Sequence, residues 1–96
     1  MSRGLRPVAS NFRVRMGEID LIVTDGAELV FVEVRQRASR DFGGAAASVT
    51  RTKQQRVRRA AQAFLAAHWG ERRWPAVRFD VVAIDDGVID WIRAAF

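Results

Sequence analysis

The chain has no cysteine and, among 16 cationic side chains, only one lysine, Lys53. Without thiols there can be no disulfide scaffold, thiolate zinc site or cysteine nucleophile. No apolar run exceeds five residues, so no segment is long enough to cross a bilayer as a helix. The N-terminus lacks a charged-then-apolar signal segment, and the chain shows neither an internal repeat nor low complexity. The expectation is a soluble, intracellular, cytoplasmic protein with no membrane partner. Ninety-six residues make one domain, 1–96. A fold of this size buries only about 60–70% of its unfolded surface, so its core is modest.

What is abundant is arginine. Fifteen arginines and Lys53 stand against 11 acids, a net charge of +5. A GC-rich coding bias can account for arginine over lysine, but not for the surplus of positive charge. From Phe42 to Gly70 there is no acid, while Arg51, Lys53, Arg56, Arg58 and Arg59 crowd one stretch. Guanidinium groups match phosphate oxygens, and a stripe of one sign is the footprint expected of a polyanion binder. Arg37, Arg51, Arg56, Arg58 and Arg59 are the candidate nucleic-acid contacts, with DNA the expected polymer.

The patterning predicts the order β-β-β-α-β-β, a mixed sheet crossed by one long helix, in the α/β (α+β) class. Phe12–Arg15 reads as a short edge strand after an irregular, polar N-terminus. Ile19–Val23 and Leu29–Val34 are β-branched runs joined through the turn signal Asp25-Gly26. A polar loop follows from Arg37 to Gly44. Val57, Ala60, Ala61, Phe64 and Leu65 make one apolar helical stripe, with Ser48 or Thr50 as N-cap and Gly70 just beyond the end. Val77–Ile84 and Val88–Ile92 form a second hairpin about Asp86-Gly87.

Side chains alternate along strands, so Asp20 and Glu33 share a face for either even-length loop. If residues paired across the hairpin sum to 51, the acids are diagonal; if they sum to 53, they face each other, with Cβ atoms about 5–8 Å apart. On the other face lie Ile19, Leu21 and Val23 opposite Val30, Val32 and Val34. Facing carboxylates repel unless something positive sits between them. Two candidates exist: Arg35, with Lys53 or Arg37 nearby, and a divalent cation such as Mg²⁺. Mg²⁺ accepts one or two carboxylates plus water, phosphate or carbonyl oxygens, and the Val34 carbonyl can supply one. Lys53 and Gln54, one turn before Val57, are expected to overhang this site. Two acids, an arginine, a lysine and a glutamine are the parts that metal-assisted phosphodiester hydrolysis uses.

The segments Gly17-Glu18-Ile19-Asp20-Leu21-Ile22 and Leu29-Val30-Phe31-Val32-Glu33-Val34-Arg35 resemble the YraN-like family of small bacterial proteins, predicted nucleases of restriction-endonuclease-like fold. The resemblance extends through Asn11-Phe12-Arg13, Phe42-Gly43, Ser48-Val49, Lys53, Ala60-Ala61, Phe64-Leu65 and Arg78-Phe79-Asp80-Val81-Val82 to Ala95-Phe96. It implies a PD-(D/E)XK arrangement, with Asp20 as first acid, Glu33 as second and Arg35 at the lysine position. Asp20, Glu33, Arg35, Lys53 and Gln54 would then be catalytic, and Asp20, Glu33 and Val34 would hold Mg²⁺ or Mn²⁺. Arginine at that position can neutralise developing charge but cannot act as a base. Family members usually begin with a further helix of about twenty residues, which this chain is expected to lack.

Other conspicuous residues have ordinary explanations. Glu18 reads as solvated, His68 as favourably placed at a helix C-terminus, and Trp69, Trp74 and Trp91 as packing residues. Asp80, Asp85, Asp86 and Asp90 read as strand-flanking and turn residues. The alternatives to a metal-dependent nuclease are a non-catalytic nucleic-acid-binding module on the same fold, or an interaction domain forming a homodimer.

Overall fold

The computed structural model describes residues 4–38 and 43–96. The loop expected over Arg37–Gly44 lies partly outside them, at 39–42. Five strands, β1 (Leu5–Val14), β2 (Gly17–Asp25), β3 (Glu28–Arg37), β4 (Val77–Asp85) and β5 (Val88–Ile92), form one sheet in chain order. All neighbours are antiparallel except β3 and β4, whose parallel pairing needs the helical crossover between them. That crossover holds a short helix, α1 (Gly44–Ala47), and the long α2 (Arg51–Trp69). The result is a mixed α+β architecture.

β1 is longer than the expected Phe12–Arg15. Its first half breaks alternation with Pro7 and a register shift between Pro7 and Ala9, both tolerated on a sheet edge. Leu5 is nevertheless buried, and Ala9 and Phe12 pack under α2. The short α1 has too few residues for an apolar period to show in the sequence. Its presence makes Ser48 the C-cap of α1, and Thr50 the N-cap of α2, its hydroxyl accepting from the Lys53 amide at 3.3 Å. At the other end the Gly70 amide donates to Ala66. Asp86 and Gly87 both take positive φ, 49° and 80°, the geometry that suits a two-residue hairpin turn.

The stripe Val57, Ala60, Ala61, Phe64 and Leu65 packs on Ile22, Leu29, Phe31 and Phe79. Phe64 meets the edge or face of Phe12 and Phe31 with ring centres 5.2 and 6.1 Å apart. Ile19 joins this cluster, not the opposite face with Leu21 and Val23 as alternation predicts. The break falls where Asn11, at φ 52°, and Asp20 are missing from the β1–β2 ladder between Ser10–Leu21 and Phe12–Ile19, and past it Phe12 and Ile19 both turn toward the helix.

The other sheet face buries Leu5, Val23, Val30 and Val32, bordered by Leu21, Val82 and Trp91. It also holds a buried ion network. Asp80, fully buried, accepts Arg78 Nε at 2.9 Å, Trp91 Nε1 at 2.8 Å and the Ala94 amide at 3.0 Å. Arg78 also reaches Asp25 and Glu28, each at 2.9 Å. Asp80 is therefore a core ion, not a strand-flanking residue. Burial alone would raise its pKa, but bonds from Arg78, Trp91 and Ala94 together hold it below the ordinary value. No helix among the described residues is long and apolar enough to cross a membrane.

Candidate active site

The β2–β3 ladder closes through Asp25 opposite Glu28, so the turn residues are Gly26 and Ala27, with Gly26 at φ 61°. Paired residues sum to 53, the register that sets Asp20 opposite Glu33. The ladder stops at Leu21 and Val32, while β3 continues beside β4 as far as Arg37. Beyond Val32 the two strands therefore fork.

Main-chain directions on β3 show what fills the fork. The Leu29 amide donates to Ala76, so odd-numbered residues of β3 turn their main-chain groups toward β4 and even-numbered ones toward β2. Val34 thus points its N–H and C=O at β2, where no strand partner remains. The Asp20 carboxylate takes that place, its Oδ2 accepting the Val34 amide at 2.8 Å. An extended residue carries both groups on one side, so the Val34 carbonyl opens onto the same fork.

Glu33, only 7% exposed, points to the helix side of β3, and its Oε1 is buried with no hydrogen-bond partner. Burial, then the hydrogen bond and negative charge of Asp20, push the Glu33 carboxyl up from 4.5 to about 8, against the pull of Arg35 and Lys53.

A cavity of about 70 Å³ opens over Glu33, lined by Glu18, Glu33, Arg35, Lys53, Arg56 and Val57. Arg35 follows Glu33 by two on the same face, and its Nε donates to Ser48 Oγ at 3.0 Å. Ser48 in turn donates to the Ala45 carbonyl, while the Ala45 amide is held by the buried Asp85 at 2.6 Å. The short helix thus anchors the arginine, a contact with no sequence signal beyond a serine after small residues. Lys53 comes from the first turn of α2. Glu18 is half-paired with Arg13 at 3.3 Å in an exposed, weak ion pair.

Two expected residues lie elsewhere. Gln54 turns its amide to the Val49 carbonyl at 3.1 Å and lines a second, mainly apolar cavity with Val81, Ile92 and Phe96. Lys53 and Gln54 are about 100° apart around the helix, so only one of them can overhang Glu33. Arg58, itself exposed, lies over the Phe79 and Phe96 rings, 4.7 and 5.4 Å from their centres. Arg37, Arg51, Arg56 and Arg59 are exposed. Arg51 lies toward the Arg58 side of α2, and Arg59 toward the Arg56 side.

The described residues contain no group of three acids or histidines able to hold a metal. The donor set at the fork is two carboxylates and one main-chain carbonyl. The sequence profile of UPF0102, described as an uncharacterised protein family, matches residues 1–84. The chain belongs to this family. It is 55% identical over 94 residues to a UPF0102 protein of Halorhodospira halophila, covering 98% of this chain and 74% of the relative. It is 53% identical over 95 residues to the UPF0102 protein YraN of Salmonella arizonae, covering 99% and 72%. A UPF0102 protein of Ralstonia nicotianae is 57% identical over 99 residues, covering 99% and 75%. The family resemblance carried by residues 17–22 and 29–35 is thereby established.

Proposed function

We propose that this UPF0102 protein is a divalent-metal-dependent nuclease of restriction-endonuclease-like fold, acting on DNA in the cytoplasm. The observation that carries this reading is the unpartnered, buried Glu33 Oε1 beside the Asp20 carboxylate, at a fork onto which the Val34 carbonyl also opens. A buried acceptor without a donor is costly unless a proton or cation completes it. Hard oxygen donors of this number suit Mg²⁺ or Mn²⁺, which keep their remaining positions for water and phosphate. Asp20, Glu33 and the Val34 carbonyl would hold the ion. When bound, it would lower the pKa of a water and polarise a phosphoryl oxygen.

The chain's own residues divide the remaining work. Asp20, fixed by the Val34 amide, holds its carboxylate rigidly. Arg35, fastened by Ser48, and Lys53 place positive charge where a phosphate would gain negative charge in the transition state.

The test is Mn²⁺ calorimetry on the wild type, Asp20→Ala and Glu33→Ala, with plasmid cleavage assayed alongside. Binding that either substitution abolishes, with release of about one proton at pH 7 because Glu33 must ionise, is the expected result. DNA binding without Mn²⁺ binding or cleavage would instead identify a non-catalytic binding module.

A further inference from the structure

We propose that the tip of the β1–β2 hairpin, Arg15 and Met16, is a DNA contact that grips a duplex beside the cavity and favours sites where base stacking is interrupted. The proposal rests on the nuclease reading for the identity of the polymer, but on different residues. Val14 pairs with Gly17, leaving Arg15 and Met16 as a two-residue turn. Met16 is 53% exposed, an apolar side chain held out in solvent next to Arg15 at the turn.

The tip is anchored. Gly17 lies so close to α2 that a Cβ there would sit 2.2 Å from the Arg56 carbonyl oxygen. Main chain on main chain leaves little room for the hairpin to swing. Glu18, the next residue, and Arg56 both line the cavity over Glu33. The turn is therefore held at the rim of the candidate active site.

Charge fixes the direction of approach. Arg13 and Arg15 are exposed on the hairpin whose Gly17 abuts the Arg56 main chain, and Arg56 and Arg59 are exposed one turn apart on α2. The exposed acids Asp86 and Asp90 belong to the β4–β5 hairpin, and the strand order puts β1 and β5 at opposite edges of the sheet. A polyanion is attracted to the first edge and repelled from the second. At that tip the arginines would meet phosphates, and Met16, more exposed than Val8 further along the same strand, is the apolar group held at the turn where it could enter a groove. Apolar wedges of this kind insert between base steps and must overcome stacking. A single methionine does this most readily where a gap has already broken the stack.

The test is fluorescence anisotropy in EDTA with labelled 30-base-pair DNA, either intact or carrying a one-nucleotide gap. Wild type, Met16→Ser and Arg15→Ala would be compared, with circular dichroism and Mn²⁺ calorimetry showing that fold and cavity are kept. The wild type should bind the gapped duplex about tenfold more tightly. Met16→Ser should abolish that preference while leaving affinity for intact duplex unchanged. Arg15→Ala should weaken binding to both duplexes equally and lower the log–log salt slope by about one. Wild-type binding by both variants would overturn the proposal and leave the nuclease reading standing. Loss of the preference in a protein that neither binds Mn²⁺ nor cleaves would uphold the contact and overturn the nuclease reading. A wild type with no DNA affinity at low salt would overturn both.

Discussion

The Asp20 carboxylate stands in the sheet where a main-chain carbonyl would otherwise stand, accepting the Val34 amide at 2.8 Å. That bond satisfies a main-chain donor left without a strand partner where β2 leaves β3, and it holds a carboxylate at the mouth of the fork. A strand pair continuing past Val32 would have filled the same space with ladder bonds and left no gap for a ligand. The bond also explains how two acids can be held together in so small a protein: one is fixed by the sheet itself, and the other is kept protonated by its surroundings.

Glu33 makes the metal-free protein sensitive to pH. Its folded-state value, about 8, lies above the ordinary 4.5, so the folded chain holds a proton that the unfolded chain releases. The associated stability is fully present below about pH 4.5 and is lost as pH rises through about 8. In EDTA, wild-type stability should decline between pH 5 and 9 by a few kcal/mol. Glu33→Gln, neutral at every pH, should be nearly flat over that window. Urea titrations at stepped pH give both curves.

Gly17 is the tightest contact between the hairpin and the helix. Gly17→Ala would place a methyl 2.2 Å from the Arg56 carbonyl oxygen, and neither main chain can yield cheaply. Destabilisation of about 1–3 kcal/mol is expected, as for other overpacked sites. A lower urea midpoint with an unchanged m-value would be the signature. Gly26→Ala meets no neighbouring atom, so its smaller cost would reflect only the positive φ of 61°.

Asp80 should prove structural. Asp80→Ala removes the acceptor for Arg78, the Trp91 indole and the Ala94 amide inside the sheet. Breaking a buried pair from one side costs about 3–5 kcal/mol. Thermal melts should show a large fall in midpoint, whereas Asp90→Ala, at an exposed position on β5, should change little. Comparable effects at the two positions would contradict the buried network.

Much of this arrangement was legible along the chain. The β-branched runs, the Asp86-Gly87 turn, the helical stripe and the Thr50 and Gly70 caps are local patterns, and local patterns survive folding when they agree with the core they build. That Asp20 and Glu33 belong to one face was expected from the two-residue period for either loop length; that the strands part just before they would pair was not. Ile19 marks where the rule failed: the alternation breaks beside the irregular Asn11–Asp20 position of the β1–β2 ladder, and no period within β2 encodes that.

By itself, then, the sequence determined the strands, the long helix, the surplus of arginine and the presence of two acids on adjoining strands. Tertiary structure alone decided that β2 and β3 part at Leu21 and Val32, and that Arg35 is fastened to Ser48 across a short helix. It also turned Gln54 away from the fork and put Asp80 into the core. The physical reason is the same in each case. Polar and charged side chains take positions set by which partner is within about 3 Å after packing, and that distance is a property of the assembled sheet and helix, not of any stretch of chain.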